Sequence, residues 1–174
     1  MILRFGILTI SDRSSRGERA DLSGPALADF VRARGWDASL LDVVPDDRPQ
    51  IAATLTAWCA RGDLDVLLTT GGTGFAPRDV TPEATRDILE RDAPGLAEAI
   101  RAESLKITPH AMLSRGLAGI RGKTILINLP GSPKGAVESL QVVADVLEHA
   151  VQLLQEDVKA EKGHEEGRKP KAGS

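Results

Sequence analysis

Hydrophobic positions fall along the chain in two alternating rhythms: short, mainly apolar runs bounded by turn formers, and stripes recurring every three or four residues. The runs lie at Leu3 to Ile10, Leu40 to Val44, Val66 to Leu68 and Thr124 to Asn128. The continuous apolar run Val66 to Leu68 marks a strand covered on both faces, as in a parallel sheet. The helical stripes between them follow recognisable start signals. Pro25 opens a helix with Leu27, Phe30 and Val31 on one face, closed by Gly35. Asp47, with Gln50 three residues on and Pro49 in the first turn, caps a helix burying Ile51, Leu55, Trp58 and Cys59. Helices are predicted from Pro82 to about Arg91 and from Pro94 to about Lys106, then an irregular stretch through Gly122. Pro133 opens the last helix, with Ala136, Val137, Leu140, Val143, Ala144, Leu147, Val151 and Leu154 on its inner face. Strands and helices alternating in this way predict an α/β three-layer sandwich around a mainly parallel sheet, one domain over residues 1–156. From 157 to 174 Lys, Glu and Gly follow one another with almost no apolar residue, the composition of a disordered charged tail.

The chemistry gathers where the predicted strands end. In open α/β sheets ligands sit at the carboxyl ends of the strands, and there Thr69 and Thr70 lead into Gly71, Gly72, Thr73 and Gly74. The glycines permit positive φ and close backbone approach, so successive N–H groups can converge on an anion. Asp79 follows, and Thr81 with Pro82 reads as N-cap and first-turn proline of the next helix. A phosphate cradle beside a carboxylate points to Mg²⁺-assisted phosphate chemistry. A second loop, Pro130, Gly131, Ser132, Pro133 and Lys134, sets a helix N-terminus, a hydroxyl and an ammonium together, which suits a phosphate. A polar loop from Ser11 and Asp12 to Gly17 lies beyond the first strand, and Asp46 stands in the turn after the second with no capping duty, since Asp47 takes it. Two familiar nucleotide motifs are absent. After Gly74 the next glycine is Gly95, so there is no dinucleotide turn, and Leu117 stands where a P-loop ending in Gly122-Lys123-Thr124 needs its first glycine. Cys59 reads as a core filler, and His110, His149 and His164 show no metal-ligand spacing.

Composition narrows the partners. At 174 residues the chain suits one domain with a full core. A net charge of -3, 3% aromatic residues and no tyrosine argue against a nucleic-acid surface. No run reaches the length of a membrane span and no signal-peptide pattern opens the chain, so a cytoplasmic location is expected. One cysteine excludes an intrachain disulfide.

Four segments together resemble the molybdenum-cofactor biosynthesis proteins of the molybdopterin adenylyltransferase type: Ile7 to Arg13, Val44 to Asp47, Thr69 to Gly74 with Arg78 to Glu83, and Asn128 to Gly135. They run in order over about residues 3–154. The resemblance implies a molybdopterin-binding-like α/β sandwich forming a homotrimer. It implies Mg²⁺-dependent transfer of AMP from ATP to the terminal phosphate of molybdopterin, with release of pyrophosphate, and the molybdenum-insertion protein as a partner. By the same resemblance Asp46 and Asp79 match two essential acidic positions and would hold Mg²⁺. Thr70, Gly71, Gly72, Thr73 and Gly74 would take nucleotide phosphates; Pro130, Gly131, Ser132 and Lys134 form a second anion loop, and Ser11 and Asp12 stand at the mouth of the first strand. The residues themselves leave a second class open, a molybdopterin- or nucleotide-binding module without catalysis. The two differ in whether Asp46 and Asp79 converge on the glycine loop. A nicotinamide-dependent oxidoreductase would need the absent glycine fingerprint.

Overall fold

In the computed structural model, which describes residues 1–155, the chain runs β1 (Arg4–Ile10), α1 (Asp12–Ser15), α2 (Ser23–Ala33), β2 (Asp37–Val44), α3 (Arg48–Ala60) and β3 (Val66–Thr70). It continues through α4 (Thr81–Arg86), β4 (Arg91–Asp92), α5 (Pro94–Leu105), a 3-10 turn (Pro109–Leu113), β5 (Ala118–Arg121), β6 (Thr124–Leu129) and α6 (Pro133–Leu154). The charged tail expected at 157–174, with His164, lies outside the described residues.

The six strands form one sheet in the order β2-β1-β3-β6-β5-β4. The four expected strands pair in parallel, and β5 and β4 extend one edge antiparallel. Pleating sorts the side chains between the two faces. Phe5, Ile7, Val66, Leu68, Ile125 and Ile127 join α2, α5 and α6 in one core layer. Leu8, Ile10, Leu67 and Leu126 join Ile51 and Leu55 from α3, Ala84 from α4 and Ile88 just beyond it in the other. Burial on both faces is why these strands read as mainly apolar runs. Trp58 and Cys59 are only half-buried at the rim of the second layer, and burial pushes the Cys59 thiol up to about 11, consistent with packing and not nucleophilic duty.

Several boundaries differ from the sequence reading, each for a physical reason. β2 begins at Asp37, not Leu40, because as an edge strand it pairs on one side only and carries exposed Asp37 and Ser39. α2 begins at Ser23, where the Asp21 carboxylate accepts from the Gly24 N–H (3.1 Å). The loop after β1 contains one helical turn, capped by Ser11 accepting from Ser14 N–H (3.1 Å). α4 stops at Arg86 because the chain is captured by the sheet: Glu90 N–H donates to the Ile120 carbonyl (3.0 Å), and Arg91–Asp92 adds to the edge of β5. The stretch read as irregular through Gly122 holds β5, joined to β6 by a tight reversal with Gly122 at φ 57. Its four residues are too short to show a period. Thr81 is not the N-cap of α4. It lies inside the first turn, and its hydroxyl donates to the Gly71 carbonyl (2.9 Å). The predicted caps Asp47 (3.0 Å to Gln50 N–H) and Ser132 (3.1 Å to Gly135 N–H) are present.

The chain leaves β1 toward β2 on one side and returns to place β3 on the other. The loops after β1 and β3 therefore diverge, which is the switch point where such sheets hold ligands.

Candidate active site

Four loops meet at the carboxyl edge of the parallel strands. Ser11 N–H donates to the Val44 carbonyl (2.9 Å) and Gly71 N–H to the Leu129 carbonyl (3.2 Å). The Thr70 hydroxyl donates to the Pro130 carbonyl (2.8 Å). Gly71 and Gly72 take φ of 100° and 67°, a region closed to most side chains, and a Cβ on Gly71 would run into the Ile10 carbonyl. A Cβ on Gly131 would lie 3.3 Å from the Gly71 Cα, so the two anion loops are in contact.

Two carboxylates lie against this turn, each beside a different glycine. Asp46 Oδ1 lies 3.1 Å from where a Cβ on Gly72 would stand, and Asp79 Oδ2 lies 2.9 Å from the same point on Gly74. Asp46 and Asp12 brace one another: Asp46 Oδ2 accepts from Asp12 N–H (2.9 Å) and Asp12 Oδ1 from Asp46 N–H (3.1 Å). Asp79 Oδ2 accepts from Ala76 N–H (2.9 Å), which curls the loop back on itself. Burial, and then the charges of Asp12 and Asp79, raise the Asp46 pKa above the ordinary carboxylate value. Asp12 moves the other way, held low by the Arg78 guanidinium, which also donates to the Asp46 carbonyl (3.0 Å). Arg78 thus neutralises Asp12. Asp46 and Asp79 are left facing the turn with a net charge that a cation would relieve. Among the described residues no group of three or more His, Cys, Asp or Glu could hold a metal ion. A cation at these two carboxylates would complete its shell with phosphate oxygens and water, the usual situation of Mg²⁺.

Two cavities flank the turn. One, of about 330 Å³, is bordered by Ser11, Asp21, Ser23, Thr70, Gly71 and Gly131. The other, of about 300 Å³, lies between the turn and α5 and α6, bordered by Thr73, Gly74, Ile100, Arg101, Pro130 and Ser139. Ser132 borders both. Lys134 borders neither; its side chain is 85% exposed and lies 3.9 Å from Glu138.

Behind the turn, polar side chains hold it from inside the protein. Asn128 Nδ2 donates to the Thr69 and Thr85 hydroxyls (both 2.9 Å), and Asn128 Oδ1 accepts from Leu117 N–H (3.2 Å). The Thr85 hydroxyl donates to the Thr81 carbonyl (2.8 Å), and Thr81 reaches Gly71. Arg115 reaches the same loop from the segment before β5. Neither Asn128 nor Arg115 was singled out by sequence reasoning. Asn128 is hidden by its place in an apolar strand, and Arg115 lies in a stretch without period.

A family model described as "Probable molybdopterin binding domain" matches residues 6–149. The molybdopterin adenylyltransferase of Helicobacter pylori strain J99 is 40% identical over 154 residues, covering 87% of this chain and 88% of that one. The molybdenum cofactor synthesis protein cinnamon of Drosophila melanogaster is 47% identical over 157 residues, 90% of this chain but only 26% of its own length. The chain therefore spans about a quarter of that longer relative. The crystal structure of the molybdopterin biosynthesis enzyme MoaB from Thermus thermophilus superposes with a TM-score of 0.84 at 50% identity, over 90% of this chain and 98% of that one. The chain therefore belongs to the molybdopterin-binding domain family of molybdenum-cofactor biosynthesis proteins.

Proposed function

We propose that the chain is a molybdopterin adenylyltransferase, moving AMP from MgATP to the terminal phosphate of molybdopterin with release of pyrophosphate. The observation that carries this is the placement of Asp46 beside Gly72 and Asp79 beside Gly74, on a glycine turn whose neighbouring residues border two cavities that share Ser132. A two-substrate phosphate reaction needs that plan. An oxygen of the molybdopterin phosphate forms a bond to the α-phosphorus of ATP as the bond from that phosphorus to the departing pyrophosphate oxygen breaks. Two phosphates repel, so the protein's task is to neutralise charge and align the reacting groups. Beyond Gly71, Gly135 and Ala136, whose N–H groups are already held by Leu129 and Ser132, the N–H groups of the glycine turn and the start of α6, with the Ser132 hydroxyl, would supply donors. Asp46 and Asp79 would hold Mg²⁺, which when bound offsets the charge of the phosphates. Arg78 keeps Asp12 neutralised so that the site is not over-charged. A homotrimer, and delivery of the adenylylated product to the molybdenum-insertion protein, complete this reading and rest on the family resemblance.

The test is pyrophosphate release by the purified chain, which should require molybdopterin, ATP and Mg²⁺ together. Binding of molybdopterin without release under any of these conditions would favour the non-catalytic module instead.

A further inference from the structure

Arg115 stands between the 3-10 turn and β5 and engages the glycine loop at three points and the helix after it at a fourth. Its backbone N–H donates to the Thr73 carbonyl (2.8 Å). Its Nε donates to the Gly74 carbonyl (2.8 Å) and its Nη2 to the Asp79 carbonyl (2.8 Å). Its Nη1 pairs with the Glu83 carboxylate on the first turn of α4. One residue therefore joins the start of the loop, its end and the helix that follows. The segment bearing Arg115 is itself tied down, because Arg101 of α5 donates to the Gly116 carbonyl (2.6 Å) on its far side.

These contacts bear on the direction of the loop's donors. In a trans peptide the C=O and N–H point opposite ways, and this chain has no cis peptide bond among its described residues. Anchoring the Thr73, Gly74 and Asp79 carbonyls on Arg115 aims the following N–H groups away from it. Without the anchor, a glycine-rich loop can rotate its peptides at little steric cost and present carbonyl oxygens to a phosphate. The guanidinium of Arg115 is engaged by the protein and not offered to a ligand. Its partnership with Glu83 raises its own pKa and lowers that of Glu83, so the pair stays charged across the working range.

We propose that Arg115 is a positioning residue for phosphate chemistry at this turn: it fixes the Thr73–Asp79 loop so that its donors and the Asp79 carboxylate face the reacting phosphates, without touching them itself. The inference rests on the adenylyl-transfer reading, and its test is built so that the two can fail separately. Arg115→Ala, Arg115→Lys and Glu83→Gln are compared with the parent chain by steady-state kinetics and by amide exchange resolved to the loop. Arg115→Ala should lower kcat by on the order of 10²-fold, the effect of slightly misplaced groups, with a KM for ATP changed far less. Exchange at residues 74–80 should quicken while the strands β1, β3 and β6 keep their protection. Guanidinium ion at millimolar concentration should restore part of kcat in Arg115→Ala, whereas Arg115→Lys should restore little, since an ammonium cannot bridge two carbonyls and a carboxylate in one plane. Glu83→Gln should show a smaller loss of the same kind. Unchanged kcat and unchanged loop exchange in Arg115→Ala would overturn the proposal, as would faster exchange throughout the sheet with kcat per folded molecule intact. If the parent chain transfers no AMP, the functional reading fails, and loop exchange still decides whether Arg115 holds the turn.

Discussion

Replacing Asp79 by Asn removes one negative charge from the glycine turn and leaves the shape almost unchanged. In the folded protein the Asp79 carboxylate makes one internal hydrogen bond, from Ala76 N–H at 2.9 Å. An asparagine Oδ1 can accept the same bond, so the loss is the difference between a charge-assisted and a neutral contact, about 0.5–1 kcal/mol. For a domain of this size that lowers Tm by about 1–4 °C. The rate should respond far more. Asp79 and Asp46 are the two carboxylates over the turn, and losing one half of a transition-state electrostatic clamp costs on the order of 10²–10³ in kcat, or about 2.7–4 kcal/mol. A second effect opposes this slightly, because the Asp79 charge is one of the influences that raise the Asp46 pKa, so in the variant Asp46 ionises more readily. The expected profile is a large fall in kcat, a near-normal Tm and an acid limb of the pH–rate curve moved to lower pH. Pyrophosphate release across pH, with scanning fluorimetry alongside, measures all three. Wild-type turnover in a folded Asp79→Asn chain would refute the reasoning.

Three further outcomes are expected. Burial raises the Asp46 pKa, so the folded chain holds that proton more tightly than the unfolded one: the group favours the fold below the ordinary carboxylate range and loses that contribution as pH rises through its folded value. Asp46→Asn should therefore raise Tm at neutral pH, with the gain vanishing in acid, while abolishing most transfer; a lower Tm at neutral pH would contradict this. Lys134→Ala should weaken ATP binding by less than about 1 kcal/mol in a calorimetric titration, because an exposed ammonium acts through water and salt, and a larger loss would bring Lys134 back to the phosphates. Asn128→Leu removes a buried side chain with three hydrogen bonds and should lower stability by about 2–4 kcal/mol in urea unfolding, by stranding Leu117 N–H and the Thr69 hydroxyl; a change under about 1 kcal/mol would show that the network can rearrange.

The parallel core was legible because burial on both faces leaves a signature that needs no partner to interpret: Val66 to Leu68 and Ile125 to Ile127 are apolar at every position. Asp47 and Ser132 were legible because a cap is a local arrangement between a side chain and an N–H three residues away. What escaped depends on distant pairing. β4 and β5 exist because each finds the other across the sheet edge, and α4 ends early for the same reason. Thr81 has the look of a cap, but the Gly71 carbonyl, ten residues back in the chain, claims its hydroxyl. In the proposed site, the glycine loop and Asp79 stand out from residue type and order, whereas Asp46 enters through the family resemblance. Lys134 was drawn in by its place beside a helix start, and its side chain is 85% exposed, 3.9 Å from Glu138. Arg115 offered no local sign at all, since its role is defined only by the carbonyls it meets.

The most direct measurement follows label from the α-phosphate of ATP into molybdopterin, using the parent chain and the Asp46→Asn, Asp79→Asn double variant. If the two carboxylates over the glycine turn convert joint binding into transfer, the parent chain places one α-phosphate on each molybdopterin and releases one pyrophosphate. The double variant should still bind molybdopterin and form no labelled product. Labelled product formed equally by both proteins, or molybdopterin bound by the parent chain with no label transferred in the presence of Mg²⁺, would contradict the account.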